Sequence, residues 1–156
     1  MKFGHFDDAA REYVIETPKT PYPWINYLGN QEYFALMSNT AGGYSFFRDA
    51  KMRRLLRYRY NNIPTDIGGR YLFINDGGDV WTPTWLPVKA DLEKYECRHG
   101  LGYSVITGQR NGLEVSTTYF VPQNENAEIQ KITFTNHSKE TKTFKAFPYV
   151  EFCLWN

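Results

Sequence analysis

The feature that most constrains the fold is a pair of alternating segments, residues 103–107 and 113–121, separated by Asn111 and Gly112. An Asn-Gly pair in this setting is the strongest short-range signal of a β-hairpin, because both residues tolerate the positive φ angles of a tight turn. Successive side chains of a strand point to opposite faces, so the alternation also sorts the residues by side. One side of the second strand carries Leu113, Val115, Thr117 and Tyr119.

Similar short segments occur along the whole chain and are separated by turn-forming residues. Residues 75–79, Asn-Asp-Gly-Gly-Asp, indicate a second hairpin. The other candidate strands are 11–15, 24–28, 33–37, 70–74, 80–85, 127–136 and 141–155, with Pro83 and Pro148 interrupting two of them. Helical periodicity is weak except in the short basic segment 49–56, and residues 89–94 could hold a helical turn. Many short strands joined by hairpins predict an all-β protein, an antiparallel β-sandwich.

Size and charge restrict the function classes. The chain has 156 residues, enough for one domain spanning 1–156, and a formal net charge of +1. A near-neutral balance favours no nucleic acid and no membrane as a partner. The aromatic content of 17% suits half-buried strands and also suits proteins that handle carbohydrate. The sequence shows neither a secretory signal peptide nor an apolar run of about 18 residues, so we expect a cytoplasmic protein.

The two cysteines and the last residues carry further expectations. Cys97 and Cys153 are too few for a disulfide framework, and we expect both to be buried structural thiols in a reducing compartment. Residues 151–156 form a strongly apolar run. A natural chain rarely ends on such a strand, because the strand edge would lack a neighbour. We therefore expect a truncated sandwich that is part of a longer protein.

Residues 38–60 carry the strongest functional signal, because they combine two adjacent glycines with aromatic and cationic side chains. Gly42 and Gly43 allow the backbone to turn or a ligand to approach closely. The aromatic and cationic residues are Tyr44, Phe46, Phe47, Arg48, Lys51, Arg53, Arg54, Arg57, Tyr58, Arg59 and Tyr60. Aromatic faces suit sugar rings, and guanidinium groups suit phosphate or carboxylate. A solvated basic face on a connecting segment explains the same residues, and residue types alone favour that explanation.

Familiar catalytic motifs do not occur in the sequence. It contains no GxSxG, no HExxH, no phosphate loop and no Cys/His spacing suited to a metal. Asp7, Asp8, Asp76 and Asp79 are better explained as turn residues whose side chains bond nearby backbone. Residues 96–99, Glu-Cys-Arg-His, form a denser polar cluster, for which we favour a buried and satisfied hydrogen-bond network. We predict no catalytic residue and no metal site in this chain.

Eight runs resemble the amino-terminal part of the inverting glycoside phosphorylases of glycoside hydrolase family ninety-four, specifically the members that act on cellobiose. They are HFDDAAREYVI (5–15), TPYPWINYLG (20–29), AGGYSFFRDAKMRR (41–54), RYRYNNIP (57–64), GGRYLFINDGGDVWTPTWLPVK (68–89), YECRHGLGYS (95–104), GQRNGLEV (108–115) and VEFCLWN (150–156). Several of these runs are long and unusual in composition, and the resemblance covers essentially the whole chain.

The resemblance implies a fold and a reaction. The fold is the amino-terminal part of a galactose-mutarotase-like supersandwich, followed by a helical linker and an (α/α)6 barrel after residue 156. The reaction is a reversible phosphorolysis of cellobiose, in which inorganic phosphate attacks the anomeric carbon and yields α-D-glucose 1-phosphate and D-glucose with inversion. The implied general acid is an aspartate of the barrel, and no metal or organic cofactor is implied.

Alternatives to this function remain open. Phosphorylases of other β-linked disaccharides, such as chitobiose, laminaribiose or a β-1,2 glucobiose, share the implied architecture. A non-catalytic carbohydrate-binding β-sandwich and a purely structural sandwich are the alternatives from other functional classes.

The resemblance also implies a homodimer, in which the amino-terminal domain of one subunit lies over the barrel pocket of its neighbour. Residues 41–49 match the segment expected to form this lid, and Tyr44, Phe47, Arg48 and Asp49 are its expected substrate-binding or dimer-contact residues. Phe47 stands where a tyrosine is expected in relatives, so only stacking without a hydroxyl hydrogen bond would remain. Alternatively, the arginines of this stretch form salt bridges inside the sandwich or along the dimer interface.

Overall fold

The computed structural model describes residues 2–57 and 68–153, and all regular elements in these ranges are β-strands. In chain order they are β1 (Gly4–Asp7), β2 (Glu12–Ile15), β3 (Ile25–Gly29), β4 (Tyr33–Ser38), β5 (Ser45–Phe47), β6 (Arg70–Asp76), β7 (Asp79–Trp81), β8 (Lys94–Gly100), β9 (Tyr103–Arg110), β10 (Leu113–Phe120), β11 (Ile129–Asn136) and β12 (Lys145–Val150). Within these ranges there is no helix of the length and apolar character needed to cross a membrane.

The strands form one large sheet and two small ones. The large sheet has the order β1-β2-β8-β9-β10-β11, and the small sheets have the orders β12-β6-β7 and β3-β4-β5. Every pair of neighbouring strands is antiparallel. The predicted all-β antiparallel architecture is therefore confirmed.

Both predicted tight hairpins form. Asn111 and Gly112 have φ angles of 50° and 73°, and they connect β9 to β10 where Arg110 pairs with Leu113. Gly77 and Gly78 have φ angles of 65° and 99° and connect β6 to β7. Positive φ at both central residues matches the right-handed twist of the strands, which explains why these dipeptides specify the register.

The core lies between the large sheet and the two small sheets, as in a sandwich. Along β10, buried positions alternate with half-buried ones, as the sequence pattern predicted. One buried cluster joins β2, β8, β9 and β10 of the large sheet to β3, β4 and β6; it contains Ile15, Leu28, Tyr33, Ala35, Met37, Ala41, Tyr71, Cys97, Ile106, Tyr119 and Val121. A second cluster joins β10 to β6 and β7 and contains Leu72, Ile74, Trp81, Leu113 and Val115.

An ion pair lies inside this sandwich. The Nε atom of Arg70 is 2.5 Å from Oε1 of Glu128, and the two side chains are 0% and 8% exposed. Arg70 also donates a hydrogen bond from Nη1 to the carbonyl oxygen of Leu36, at 3.3 Å. Burial raises the pKa of Glu128, and the nearby Arg70 opposes that shift. The pair connects the first residue of β6 to β4 and to the residue preceding β11.

Neither of the two predicted helical segments forms. In segment 49–56, Oδ1 of Asp49 accepts hydrogen bonds from the backbone amides of Lys51 and Met52, which makes a turn, and Arg54 then bridges to Phe46 of β5. These bonds resemble a helix N-cap, but no helix follows, because the backbone amide of Leu55 donates at 2.8 Å to the carbonyl of Ser45 in β5. In segment 89–94, Lys89 has a φ angle of 63°, a left-handed conformation that does not continue a helix.

Strand boundaries differ from the predicted ones at several places. The strand predicted at 80–85 ends at Trp81, because residues 82–84 turn and the hydroxyl groups of Thr82 and Thr84 both donate to the carbonyl oxygen of Leu86. The strand predicted at 141–155 is realised as β12, an edge strand that accommodates Pro148. The strands β1, β5 and β8 were not among the candidate strands of the sequence.

A further expectation concerns the two cysteines. Cys97 is fully buried as expected, but Cys153 is partly exposed, so the expectation of two buried thiols is wrong for the second.

Some residues of the sequence predictions lie outside the described ranges. They are Tyr58, Arg59 and Tyr60, and residues 154–156 of the predicted last strand.

Removing one partner of the buried ion pair is expected to destabilise the domain strongly. Arg70→Met leaves the Glu128 carboxylate buried without its partner, and Glu128→Leu does the same to the guanidinium. Each single variant should lose about 3–5 kcal/mol of unfolding free energy. The double variant Arg70→Met/Glu128→Leu should lose much less than the sum. Chemical denaturation followed by tryptophan fluorescence checks this, and additive losses would contradict it.

Candidate functional site

The predicted lid segment, residues 41–49, is a structured part of the β3-β4-β5 sheet. It leaves β4 through a turn in which Gly43 has a φ angle of 110°, and a Cβ atom there would lie 2.1 Å from the carbonyl oxygen of Leu36. The amide of Gly43 donates to the carbonyl of Gly68 at 2.8 Å, and Gly42 forms a β-bridge with Gly69. The glycine pair thus allows a turn and the close approach of a second backbone segment of the same domain.

The four predicted site residues do not form a single cluster. The ring of Tyr44 lies 5.9 Å from that of Phe46, two residues along the chain and therefore on one face of β5. Phe47 lies on the opposite face, and the guanidinium carbon of Arg48 is 4.8 Å from its ring centroid. Asp49 follows, with its carboxylate held by the backbone amides of the next turn. The structure brings Phe47, Arg48 and Asp49 together and places Tyr44 on the other side.

Asp49 has a structural role in this segment. Its Oδ1 atom accepts hydrogen bonds from the amides of Met52 and Lys51, at 2.7 and 2.8 Å. These bonds hold the pKa of Asp49 below its usual range. The carboxylate is therefore ionised at neutral pH and fixes the turn that follows β5.

Arg48 and Glu32 form an exposed ion pair that connects the lid segment to the turn between β3 and β4. The Nε atom of Arg48 donates to Oε1 of Glu32 at 2.9 Å, and Nη2 contacts the same oxygen. The other carboxylate oxygen accepts a hydrogen bond from the side-chain amide of Asn126 at 3.1 Å. These bonds lower the pKa of Glu32, and the bond from Arg48 has the largest effect. Glu32 therefore joins three loops of the domain.

The expectation that arginines of this stretch form ion pairs within the domain is confirmed for Arg48 and Arg57. Arg48 pairs with Glu32, and Arg57 pairs with Glu151 at 2.5 Å. The Nε atom of Arg54 donates to the backbone carbonyl of Ala50. These contacts account for part of the basic character of residues 38–57 without any ligand.

Beside Glu32, the structure contains an open cleft of about 620 Å³ between the β3–β4 turn and the β10–β11 loop. We name it the amide cleft, because carboxamide side chains make up most of its lining. Its lining residues are Gly29, Asn30, Gln31, Glu32, Gln123, Asn124 and Asn126. The sequence interpretation did not single out these residues. The sequence feature that could have identified them is the concentration of amide side chains at two turns. These turns lie about ninety residues apart in the chain, and only the fold brings them together.

The polar cluster at residues 96–99 separates onto the two faces of β8. On one face, Arg98 bonds to Glu96, Glu12 and Asp7, at 2.7, 2.9 and 3.3 Å. The hydroxyl of Tyr103 donates to Glu12 at 2.5 Å. The hydrogen bonds that Arg98 donates, first to Glu96 and then to Glu12, raise the pKa of its guanidinium. This is a structural network in which the charged groups satisfy one another.

On the opposite face of β8, Cys97 and His99 form a buried arrangement that has no nucleophilic character. Burial raises the pKa of the Cys97 thiol, which keeps it protonated. The Nε2 atom of His99 lies 3.0 Å from the carbonyl oxygen of Trp24, which can only accept, so Nε2 carries the proton. The Nδ1 atom then accepts from the hydroxyl of Ser104 at 2.9 Å. The expected buried network is therefore present, and the described residues contain no group of three side chains suited to a metal.

The pKa of His99 is lowered, chiefly by burial, so acidification should destabilise the domain through this residue. Below the ordinary histidine pKa of about 6.5, the unfolded chain takes up a proton that the folded domain does not. The unfolding free energy should therefore fall as the pH falls below that value, until the lower pKa of the folded state is reached. His99 contributes at most about 1.4 kcal/mol per pH unit to the slope of the unfolding free energy against pH.

The measurement compares the wild type with His99→Gln, which keeps a side-chain donor and cannot titrate. Chemical denaturation between about pH 7.5 and pH 5 should show a shallower pH dependence for the variant. Equal slopes in the two proteins would show that His99 does not supply this dependence.

Comparisons with known proteins agree with this fold. Residues 11–156 match the family described as glycosyl hydrolase 94, supersandwich domain. The N,N'-diacetylchitobiose phosphorylases of Vibrio furnissii and Vibrio proteolyticus are each 41% identical to this chain over 97% of its length, and the solabiose phosphorylase of Paenibacillus borealis is 32% identical over 97%.

The match covers only a small part of those relatives. The chain spans 19% of each Vibrio protein and 20% of the Paenibacillus protein. Nearly all of the chain takes part in the match, including the lid segment and both loops of the amide cleft. The chain therefore belongs to glycosyl hydrolase family 94, and residues 11–156 match its supersandwich domain.

Proposed function

We propose that this chain is the amino-terminal domain of a phosphorylase that cleaves a β-linked disaccharide with inorganic phosphate. The observation that carries the proposal is the family match over residues 11–156, together with relatives that are themselves named as phosphorylases. Because the chain spans about a fifth of those relatives, we assign the chemistry to a barrel outside these 156 residues. The general acid is then an aspartate of that barrel.

The proposed reaction is a displacement at the anomeric carbon. A phosphate oxygen forms a bond to this carbon from the face opposite the glycosidic oxygen, and the glycosidic bond breaks. The general acid donates its proton to the departing oxygen, so the products are an α-sugar 1-phosphate and a free sugar. Phosphate takes the place of the activated water of an inverting hydrolase, and the scheme needs neither a metal nor an organic cofactor.

Two disaccharides are the candidate substrates. Cellobiose is the substrate that the sequence runs suggest, and its products would be α-D-glucose 1-phosphate and D-glucose. N,N'-diacetylchitobiose is the second candidate, favoured by 41% identity to two phosphorylases that carry its name. The two differ by an acetamido group in place of a hydroxyl on each ring, so a pocket that hydrogen-bonds one substituent discriminates strongly against the other.

For this domain, we propose a role at the subunit interface of a cytoplasmic homodimer. Residues 41–49 would cover the active site of the partner subunit, with Phe47 and Arg48 as contacts to sugar or phosphate. In support, Arg48 directly follows β5, and its side chain is 56% exposed and donates a hydrogen bond to Glu32. Tyr44 and Asp49 would support the same segment, Asp49 by fixing its turn.

The first test is an assay of the full-length protein with inorganic phosphate and each disaccharide in turn. We expect release of an α-sugar 1-phosphate from one of the two, with kcat/KM higher than for the other by about 10² or more, because unpaired buried polar groups penalise the wrong substrate. Laminaribiose is included as a comparison. Hydrolysis without phosphate, or no reaction with any β-linked disaccharide, would contradict the proposal.

The second test concerns the lid. Arg48→Ala in the full-length protein should raise KM for phosphate or for the disaccharide by about tenfold, because it removes a contact made to bound substrate. Arg57→Ala is the matched control, since Arg57 also forms a surface ion pair, with side-chain exposure of 52%. The control should retain wild-type kinetics, and both variants should remain dimers in solution. Unchanged kinetics in Arg48→Ala would refute the lid.

A further inference from the structure

We propose that the amide cleft is a second carbohydrate site, which binds a neutral β-linked oligosaccharide on the surface of this domain. The sugar class rests on the proposed function, whereas the site itself rests on the side chains that line the cleft. They are the five carboxamides Asn30, Gln31, Gln123, Asn124 and Asn126, and the carboxylate Glu32.

The hydrogen-bonding capacity of the lining matches hydroxyl groups. Each carboxamide offers two donors and an acceptor, and a sugar hydroxyl can both donate and accept. Gln31, Gln123 and Asn124 are exposed, and their side chains have no hydrogen-bond partner among the residues that the structure describes. These three amides are therefore available to a ligand, and Glu32 adds a charged acceptor beside them.

Other ligand classes fit this lining less well. Glu32 is the one ionised group among the residues described as lining the cleft, and its negative charge disfavours an anion there. A divalent ion requires several oxygen ligands of high charge. An apolar or flat aromatic ligand requires a largely apolar pocket, whereas the side chains described here are polar. The cleft is also open to solvent, which suits an extended molecule.

Both walls of the cleft are fixed by hydrogen bonds. The side-chain amide of Asn30 donates to the carbonyl oxygens of Glu125 and Pro122, at 2.9 and 3.1 Å, and so connects the β3–β4 turn to the β10–β11 loop. Asn126 forms a second connection through Glu32, at 3.1 Å. A site that is already ordered loses less conformational freedom on binding. Three amides therefore remain for the ligand while two hold the walls.

The experiment is hydrogen–deuterium exchange of the full-length protein, with cellotetraose and tetra-N-acetylchitotetraose as probes. We expect either probe to slow the exchange of backbone amides in residues 29–33 and 121–128. The double variant Gln123→Ala/Asn124→Ala should lose this protection, because it removes two free amides and leaves both wall-fixing residues in place. Thr141→Ala/Thr143→Ala is the control, since these exposed threonines lie near the opposite end of β11; it should keep the protection.

Three results would overturn the site. They are unchanged exchange with both probes, equal slowing by the acyclic polyol sorbitol, and full protection in the Gln123→Ala/Asn124→Ala variant. Phosphorolysis is measured on the same samples, so that the two proposals fail separately. If no disaccharide yields a sugar 1-phosphate, the proposed function is refuted. If neither probe slows exchange in residues 29–33 and 121–128, the amide cleft is refuted as a sugar site.

Discussion

The buried pair of Arg70 and Glu128 connects elements of the three sheets, and breaking it on one side only leaves a charge in the core. A charge in the core is costly unless a partner and hydrogen bonds compensate it. Here the partner comes from the residue before β11, and the carbonyl of Leu36 in β4 accepts a further hydrogen bond. Elements of all three sheets therefore meet at the guanidinium, whose Nη2 atom has no hydrogen-bond partner among the described residues. The same arrangement brings the β3–β4 turn and the β10–β11 loop together as walls of the amide cleft.

Local sequence predicted the parts of the fold that local physics determines. Asn111-Gly112 and Gly77-Gly78 specify their hairpins because few other residues tolerate the required φ angles, and the alternation of β10 assigns its buried face. The ion pair could not be predicted in this way. Arg70 resembles any polar residue at the start of a strand, and its partner lies 58 positions away in the chain, so nothing in the sequence pattern joins them.

In the candidate site, too, local sequence identified some residues, while only the fold established their contacts. Residues 41–49 were identified from residue types and from family resemblance, but their partners were not. Glu32 bonds to Arg48 across 16 positions and to Asn126 across 94, and the fold alone establishes these contacts. Strand alternation also places Tyr44 and Phe47 on opposite faces of β5, although both belong to one motif. Since β5 was not predicted, the sequence interpretation treated these residues as one cluster.

Under the proposed function, these contacts explain how a domain without catalytic motifs would serve a reaction that takes place in another domain. Asp7, Asp49, Cys97 and His99 are already committed to an ion pair, a turn or a neutral buried network, so these four do not offer an acid or a nucleophile. What the domain does present is a rigid polar surface: Arg48 held over Phe47, and free amides beside Glu32. Such a surface can orient a hydroxyl-rich ligand through hydrogen bonds without performing chemistry on it. A sandwich fixed by a buried ion pair is suited to this task, because positioning depends on loops that are already ordered when the ligand arrives.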